Sequence, residues 1–208
     1  MMIEANIYDM PYVCRTKDLL WAHETRLIFS LLMNDGLSMN DIKQKIEDEN
    51  TFNAASASRA KEIRQALIRR NNAVDDEFRN IFLHGSIEIQ KVMCAIMIML
   101  TDRTFYEFMD LVYREKLITG DLKLTDADVI GYVHEIQSKD TRASKWTDAG
   151  IKKLRTQYLM ILREGGLLSI GDLKNQKLLK PILPPSFTDY LDDNGLERVH
   201  RILTGERS

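Results

Sequence analysis

Apolar side chains recur along the chain at three- and four-residue spacing, and the runs they form are bounded by Ser, Thr, Asp and Gly. That period lines one face of an α-helix. Asp18 is expected to cap a helix to about Asn34, with Leu19, Leu20, His23, Leu27 and Leu31 near helical spacing and Gly36 as its stop. Ser38-Met39-Asn40-Asp41 has the form of a capping box with Asp in place of Glu. It predicts a second helix with Ile42 and Ile46 inside and an acidic Glu47-Asp48-Glu49 end that opposes the helix dipole and favours fraying. After a polar connection over 51–57, Ser56 or Ser58 is expected to cap a third helix to about Asn71. Further helices are predicted over 75–83, 86–100 and 102–117, the last rich in core-forming Phe105, Phe108, Met109, Val112 and Tyr113.

Gly120 breaks this pattern. Thr125-Asp126-Ala127-Asp128 then starts a helix to about Ser138, with Val129, Val133 and Ile136 inward. Thr147 caps a long helix to Glu164 that ends at Gly165-Gly166. The short apolar run from Leu167 to Ile170, a turn at Gly171-Asp172 and a second run over 177–183 read as a hairpin that stops at Pro184-Pro185. Two short helices follow, one begun by Ser186 with Asp189 three residues on, the other over 196–203. The predicted fold class is all-α, mainly helical, with a small β-hairpin wing. Its expected regions are an N-terminal tri-helical, helix-turn-helix-like unit (1–85), a central helical scaffold (86–120) and a C-terminal winged-helix-like unit with further helices (121–208).

Composition removes several readings. With 44% hydrophobic residues and only 10 Gly and 4 Pro in 208, the chain suits a globular helical protein rather than a disordered one. Its formal net charge of -2 supplies no global attraction to a polyanion, so affinity for nucleic acid has to come from local clusters. Cys14 and Cys94 lie in unrelated segments without CxxC spacing, which argues against a zinc site or a disulfide framework and for a reducing cytoplasm. The start of the chain lacks the features of a signal peptide, so no export is expected. The run Val92–Leu100 is far shorter than the roughly 20 apolar residues of a spanning helix, and is expected to be a buried central helix. His23, His84, His134 and His200 fall in separate predicted helices, and no HExxH, GxSxG or phosphate-cradling Gly-rich motif accompanies them. Asp126 and Asp128 suit a helix start better than acid–base work. No catalytic residue, cofactor or metal is expected.

Two helices carry concentrated positive charge. In the first, Arg59, Lys61, Arg64, Arg69 and Arg70 stand against Glu62 alone. Ile63 and Leu67 share its core face, which puts Lys61, Gln65 and Arg69 opposite. As the third helix of a tri-helical unit it suits a major groove, with Gln65 reading adenine and the cations holding phosphate or guanine; a merely solvated basic face is the other reading. In the second, Arg142, Lys145, Lys152, Lys153, Arg155 and Arg163 stand against Asp148. Ile151, Leu154, Tyr158, Ile161 and Leu162 fall on one face, so Lys152, Lys153, Thr156 and Arg163 point away from the core, with Arg155 and Gln157 on the flanks. Helix, connection, basic helix and hairpin follow in winged-helix order, with Lys174 and Lys177 near the wing tip as phosphate contacts. Trp146 beside the capping Thr147 either contacts nucleic acid or acts as a hydrophobic staple.

The chain also resembles the BrxA family of BREX phage-defence components over nearly its full length. The resemblance rests on Gly36-Leu37-Ser38, Ser58-Arg59-Ala60-Lys61, Arg114-Glu115-Lys116-Leu117, Leu124-Thr125-Asp126-Ala127-Asp128, Trp146-Thr147 with Lys152-Lys153-Leu154-Arg155, and Leu162-Arg163-Glu164-Gly165-Gly166-Leu167-Leu168. It implies a non-enzymatic, helical accessory protein that binds double-stranded DNA beside other BREX proteins. A protein-interaction adaptor that binds no DNA itself is the alternative, and RNA binding by a helical bundle a third. The expected DNA-binding residues are Arg59, Lys61, Arg64, Gln65, Arg69, Arg70, Lys145, Trp146, Thr147, Lys152, Lys153, Arg155 and Thr156.

Overall fold

Ser86 accepts the N–H of Ile89 and starts α5 (Ile87–Met99), the helix around which the rest is arranged. A computed structural model describes residues 7–49, 51–171 and 176–207 of the chain. Every residue from Val92 to Leu100 is buried, as an apolar run with no polar face requires. Burying each such side chain is worth about 1.5–3 kcal/mol relative to exposure. The helix packs against α1 (Ala22–Met33), α3 (Ala57–Asn71), α4 (Asp76–His84), α6 (Arg103–Phe108) and α9 (Asp148–Glu164). One hydrophobic core runs from Ile7 to Leu203. No helix among the described residues is long and apolar enough to cross a membrane.

Most helix starts follow the local chemistry read from the sequence. Ser38 and Asp41 form the reciprocal pair ahead of α2 (Met39–Glu49): the Asp41 N–H donates to Ser38 Oγ at 3.2 Å and the Ser38 N–H to Asp41 Oδ2 at 3.1 Å. Thr125 and Asp128 do the same for α8 (Asp126–Lys139), at 3.3 and 2.7 Å. Ser56, not Ser58, caps α3. The acidic end of α2 stays helical to Glu49 because Arg64 of α3 pairs with Glu47 and Lys45 with Glu49. α9 ends with Gly166 at φ +71°, where the Leu167 N–H reaches Leu162 O at 2.8 Å, a closing turn that glycine adopts without Cβ strain.

Three boundaries differ. α1 begins at Ala22 rather than after Asp18, because Asp18 is occupied by Arg69 and Arg70 and Trp21 turns through the left-handed region at φ 52°. The helix expected over 102–117 is α6, a π-helical segment (Met109–Arg114) and α7 (Glu115–Thr119) in one run, closed by Gly120. α10 (Pro185–Asp193) starts on Pro185 with no side-chain cap, so Ser186 does not cap it; proline's fixed φ and missing N–H suit that first position. α11 (Glu197–Thr204) closes the chain against α10 and the π-helical segment.

The irregular start of the chain is a strap. Val13 and Thr104 exchange hydrogen bonds of 2.9 and 3.0 Å, Tyr12 donates to Glu107 at 2.7 Å, and Arg103 donates to Tyr8 O at 2.6 Å. Asp102 caps α6 through the Thr104 and Phe105 N–H groups and faces Arg15 at 3.4 Å; burial nonetheless pushes its carboxyl up to about 6. Farther along, Asp18 pairs with Arg69 of α3 while its carbonyl accepts from Gln157 of α9, so the strap ties the two basic helices together.

β-structure among the described residues is limited to two isolated antiparallel bridges, Lys123 with Lys177 and Leu168 with Leu178. They set the segment 176–179 between 122–124 and 167–169. The expected turn residue Asp172 and the wing-tip Lys174 lie outside the described residues.

Candidate nucleic-acid interface

Thr147 Oγ1 accepts the Gly150 N–H at 3.2 Å and fixes the start of α9. Ile151, Leu154, Tyr158, Ile161 and Leu162 are buried, as their spacing requires, and Gln157 joins them to reach the strap. Lys152, Lys153 and Thr156 are exposed, and neither lysine has an ion-pair partner among the described residues. Thr156 donates its hydroxyl back to Lys152 O at 3.0 Å, so it is not poised for a base edge. Arg155 is half-buried on the flank and already paired with Asp126. Lys145, at the end of a 3₁₀ turn (Ala143–Lys145), and Arg142 before it are exposed beside the helix start. Trp146 is half-buried against the core, and its backbone carbonyl accepts from Gln137 at 3.1 Å.

α3 presents less charge to solvent than its composition suggests. Arg70 is 1% exposed, donates to Leu19 O and Leu20 O at 2.8 and 3.1 Å, and lies 5.1 Å from the centre of the Trp21 ring. Burial pushes its guanidinium down to about 10, which leaves it charged near neutral pH but out of reach of a phosphate. Arg69 is held by Asp18, Arg64 by Glu47, and Arg59 by Glu62 at 3.1 Å with Trp21 beneath it. Only Lys61 and Gln65 of the expected set on this helix are both exposed and uncommitted among the described residues. Arg70 is therefore a structural residue, because its hydrogen bonds and counter-charge are all inside the fold.

A family model described as BrxA matches residues 12–195. A curated relative, BREX protein BrxA of Bacillus cereus (strain H3081.97), is 31% identical over 205 residues, covering 99% of this chain and 100% of that one. The chain belongs to the BrxA family. As a BrxA-family member it is a component of a BREX phage-defence system. The match runs from the strap to the end of α10 and so includes both basic helices. The fold is shared with a crystal structure of an uncharacterized protein from Magnetospirillum magneticum, at a TM-score of 0.76 and 21% identity over 94% of this chain and 99% of that one.

In this BrxA-family chain, reading the sequence missed two features near the site. One is the strap, whose hydrogen bonds join residues far apart in sequence and leave no periodic signal. The other is Lys123, which the bridge sets directly across from Lys177, both exposed. The alternations Leu122-Lys123-Leu124 and Gln176-Lys177-Leu178 are three residues long, too short to separate from chance. No group of His, Cys, Asp and Glu among the described residues is arranged to hold a metal.

Proposed function

We propose that the chain is a duplex-DNA-binding component of its BREX system, acting without an enzymatic step of its own and holding the phosphate backbone through the exposed face of α9. The observation that carries this reading is the placement of Lys152 and Lys153, side by side in solvent without a carboxylate partner among the described residues, on a helix whose opposite face is locked into the core. Cations on a rigid helix meet a polyphosphate without a backbone-ordering cost, and the overall charge of -2 does not oppose this at distances beyond a Debye length. The order 122–124, α8, α9, 167–169 and 176–179 supports a winged-helix-like unit in which α9 is the groove-facing helix. Lys145 and Arg142 extend the same surface, and Lys61 with Gln65 are the residues of α3 that remain suited to join it. Phosphate contacts rather than base readout dominate, because Thr156 and Trp146 are engaged within the fold.

Titrating the purified chain against labelled duplex across a salt series tests this. Apparent affinity is expected to fall by about 0.9 log unit per log unit of salt for each phosphate held, with similar affinity for unrelated sequences. The adaptor reading draws support from Ile170 and Ile182, which stand 90% and 92% exposed. It predicts the opposite result, no duplex binding by the free chain and binding only by the assembled complex.

A further inference from the structure

We infer that the extended segment from Leu179 to Pro184 is a recognition element, presented to a groove with an apolar floor and an acidic rim on another protein of the BREX system. Lys180, Leu183 and Pro184 each precede a proline, and a residue in that position is held to extended or polyproline II backbone. The rings of Pro181 and Pro184 fix their own φ, and Pro184 stands at φ -64°, ψ 145°, inside the polyproline II region. Both ends of the segment are tied down. The Leu179 N–H donates to Leu167 O at 2.9 Å and its carbonyl accepts from the Tyr113 hydroxyl. At the other end Pro184 O accepts the Phe187 and Thr188 N–H groups of α10, at 2.9 and 3.1 Å.

What this pinned segment shows to solvent is apolar. Ile182 is 92% exposed and Leu179 41%; three residues make one turn of polyproline II, so the two point the same way. Leu183 packs against the core instead. The backbone N–H and carbonyl of Ile182 have no partner among the described residues, which leaves them for the side chains of a partner. Segments of this kind dock in aromatic-lined grooves, and the prolines hold the bound form in advance, so little ordering is left to do on association. Lys177 and Lys180 flank the apolar pair, both exposed and without a carboxylate partner among the described residues, so the matching rim is acidic. The phosphate backbone of a duplex offers no apolar surface to cover Ile182 and Leu179. A symmetric pairing of two copies would set each lysine against its own equals.

The test uses the full chain, immobilised, with each other protein of the same BREX system applied in turn after nuclease treatment. One of them is expected to bind, with an affinity that falls as salt rises. Ile182→Asp is expected to weaken that binding roughly ten- to a hundredfold, the loss of one buried isoleucine. Lys180→Glu should weaken it by a few-fold, mainly through slower association. Ile87→Asp, at a 64% exposed isoleucine on the start of α5, should leave it unchanged. These side chains stand in solvent, so circular dichroism of all three variants should match the native chain. Failure of every BREX protein to bind the native chain, or native affinity in Ile182→Asp, overturns the recognition element. A native chain that is dimeric by light scattering and monomeric as Ile182→Asp assigns the segment to a second copy and overturns it too. Duplex titration separates this inference from the proposed function. The Ile182→Asp chain is expected to keep the native salt slope, and a loss of duplex affinity equal to the loss of protein affinity overturns the protein partner. A native chain that binds no duplex removes the proposed function and leaves the recognition element standing on the protein titrations.

Discussion

Replacing Lys152 and Lys153 together by glutamate is expected to weaken binding to every duplex by roughly two orders of magnitude at moderate salt, since two phosphate attractions become repulsions. Both side chains are in solvent and the core face of α9 is untouched, so stability should stay within about 0.5 kcal/mol of the native chain. The milder pair Lys152→Ala, Lys153→Ala should instead flatten the salt slope by about 1.8, the contribution of two phosphates. By contrast Arg64→Ala and Arg59→Ala should leave the slope nearly unchanged, because Glu47 and Glu62 already hold those guanidinium groups. A titration in which α9 and α3 variants lose affinity equally would show that the ion pairs of α3 open on binding and that charge count, not free charge, governs contact.

The largest loss of stability is expected from Asp18→Ala. Its carboxylate pairs with Arg69 and lies 4.0 Å from Arg70, whose guanidinium is enclosed by protein. Removing the acid leaves two neighbouring cations short of a partner, a change of about 2–3 kcal/mol, below that of a fully buried pair because Asp18 and Arg69 keep 17% and 29% of their side chains in solvent. Adding Arg70→Met to that background should recover part of the loss, since it removes the stranded charge and keeps most of the volume, although Leu19 O and Leu20 O then lose their donors. Urea unfolding followed by circular dichroism reads both variants. A cost below about 1 kcal/mol for Asp18→Ala would mean that water already reaches the cluster and that the strap is only loosely seated.

What the sequence disclosed and what it hid divide along the range of the interactions. Caps at Ser38, Thr125 and Thr147 and the stop at Gly166 are made by residues within a few positions of one another, so their chemistry is local and legible. The inward face of α9 was equally readable, because one dominant apolar stripe leaves little freedom in how a helix is turned. Gln157 was the exception: a polar residue on the flank is drawn inside by a carbonyl 139 positions away. The charge on α3 misled for the same reason. Arg59, Arg64, Arg69 and Arg70 look like one basic surface in sequence, but Glu47 of α2 and Asp18 of the strap approach them only through tertiary packing. Asp18 in turn served that cluster rather than capping α1, a competition that no local pattern reveals.

Free cations on α9, rather than the total of basic residues, are the physical basis of the proposed role. Lysine acetylation read by mass spectrometry, with and without saturating duplex, examines them one by one. Lys152 and Lys153 are predicted to become protected by DNA while Lys45, paired with Glu49 on α2, keeps reacting at its original rate. Equal modification of Lys152 and Lys153 in the free and duplex-saturated protein would contradict the account.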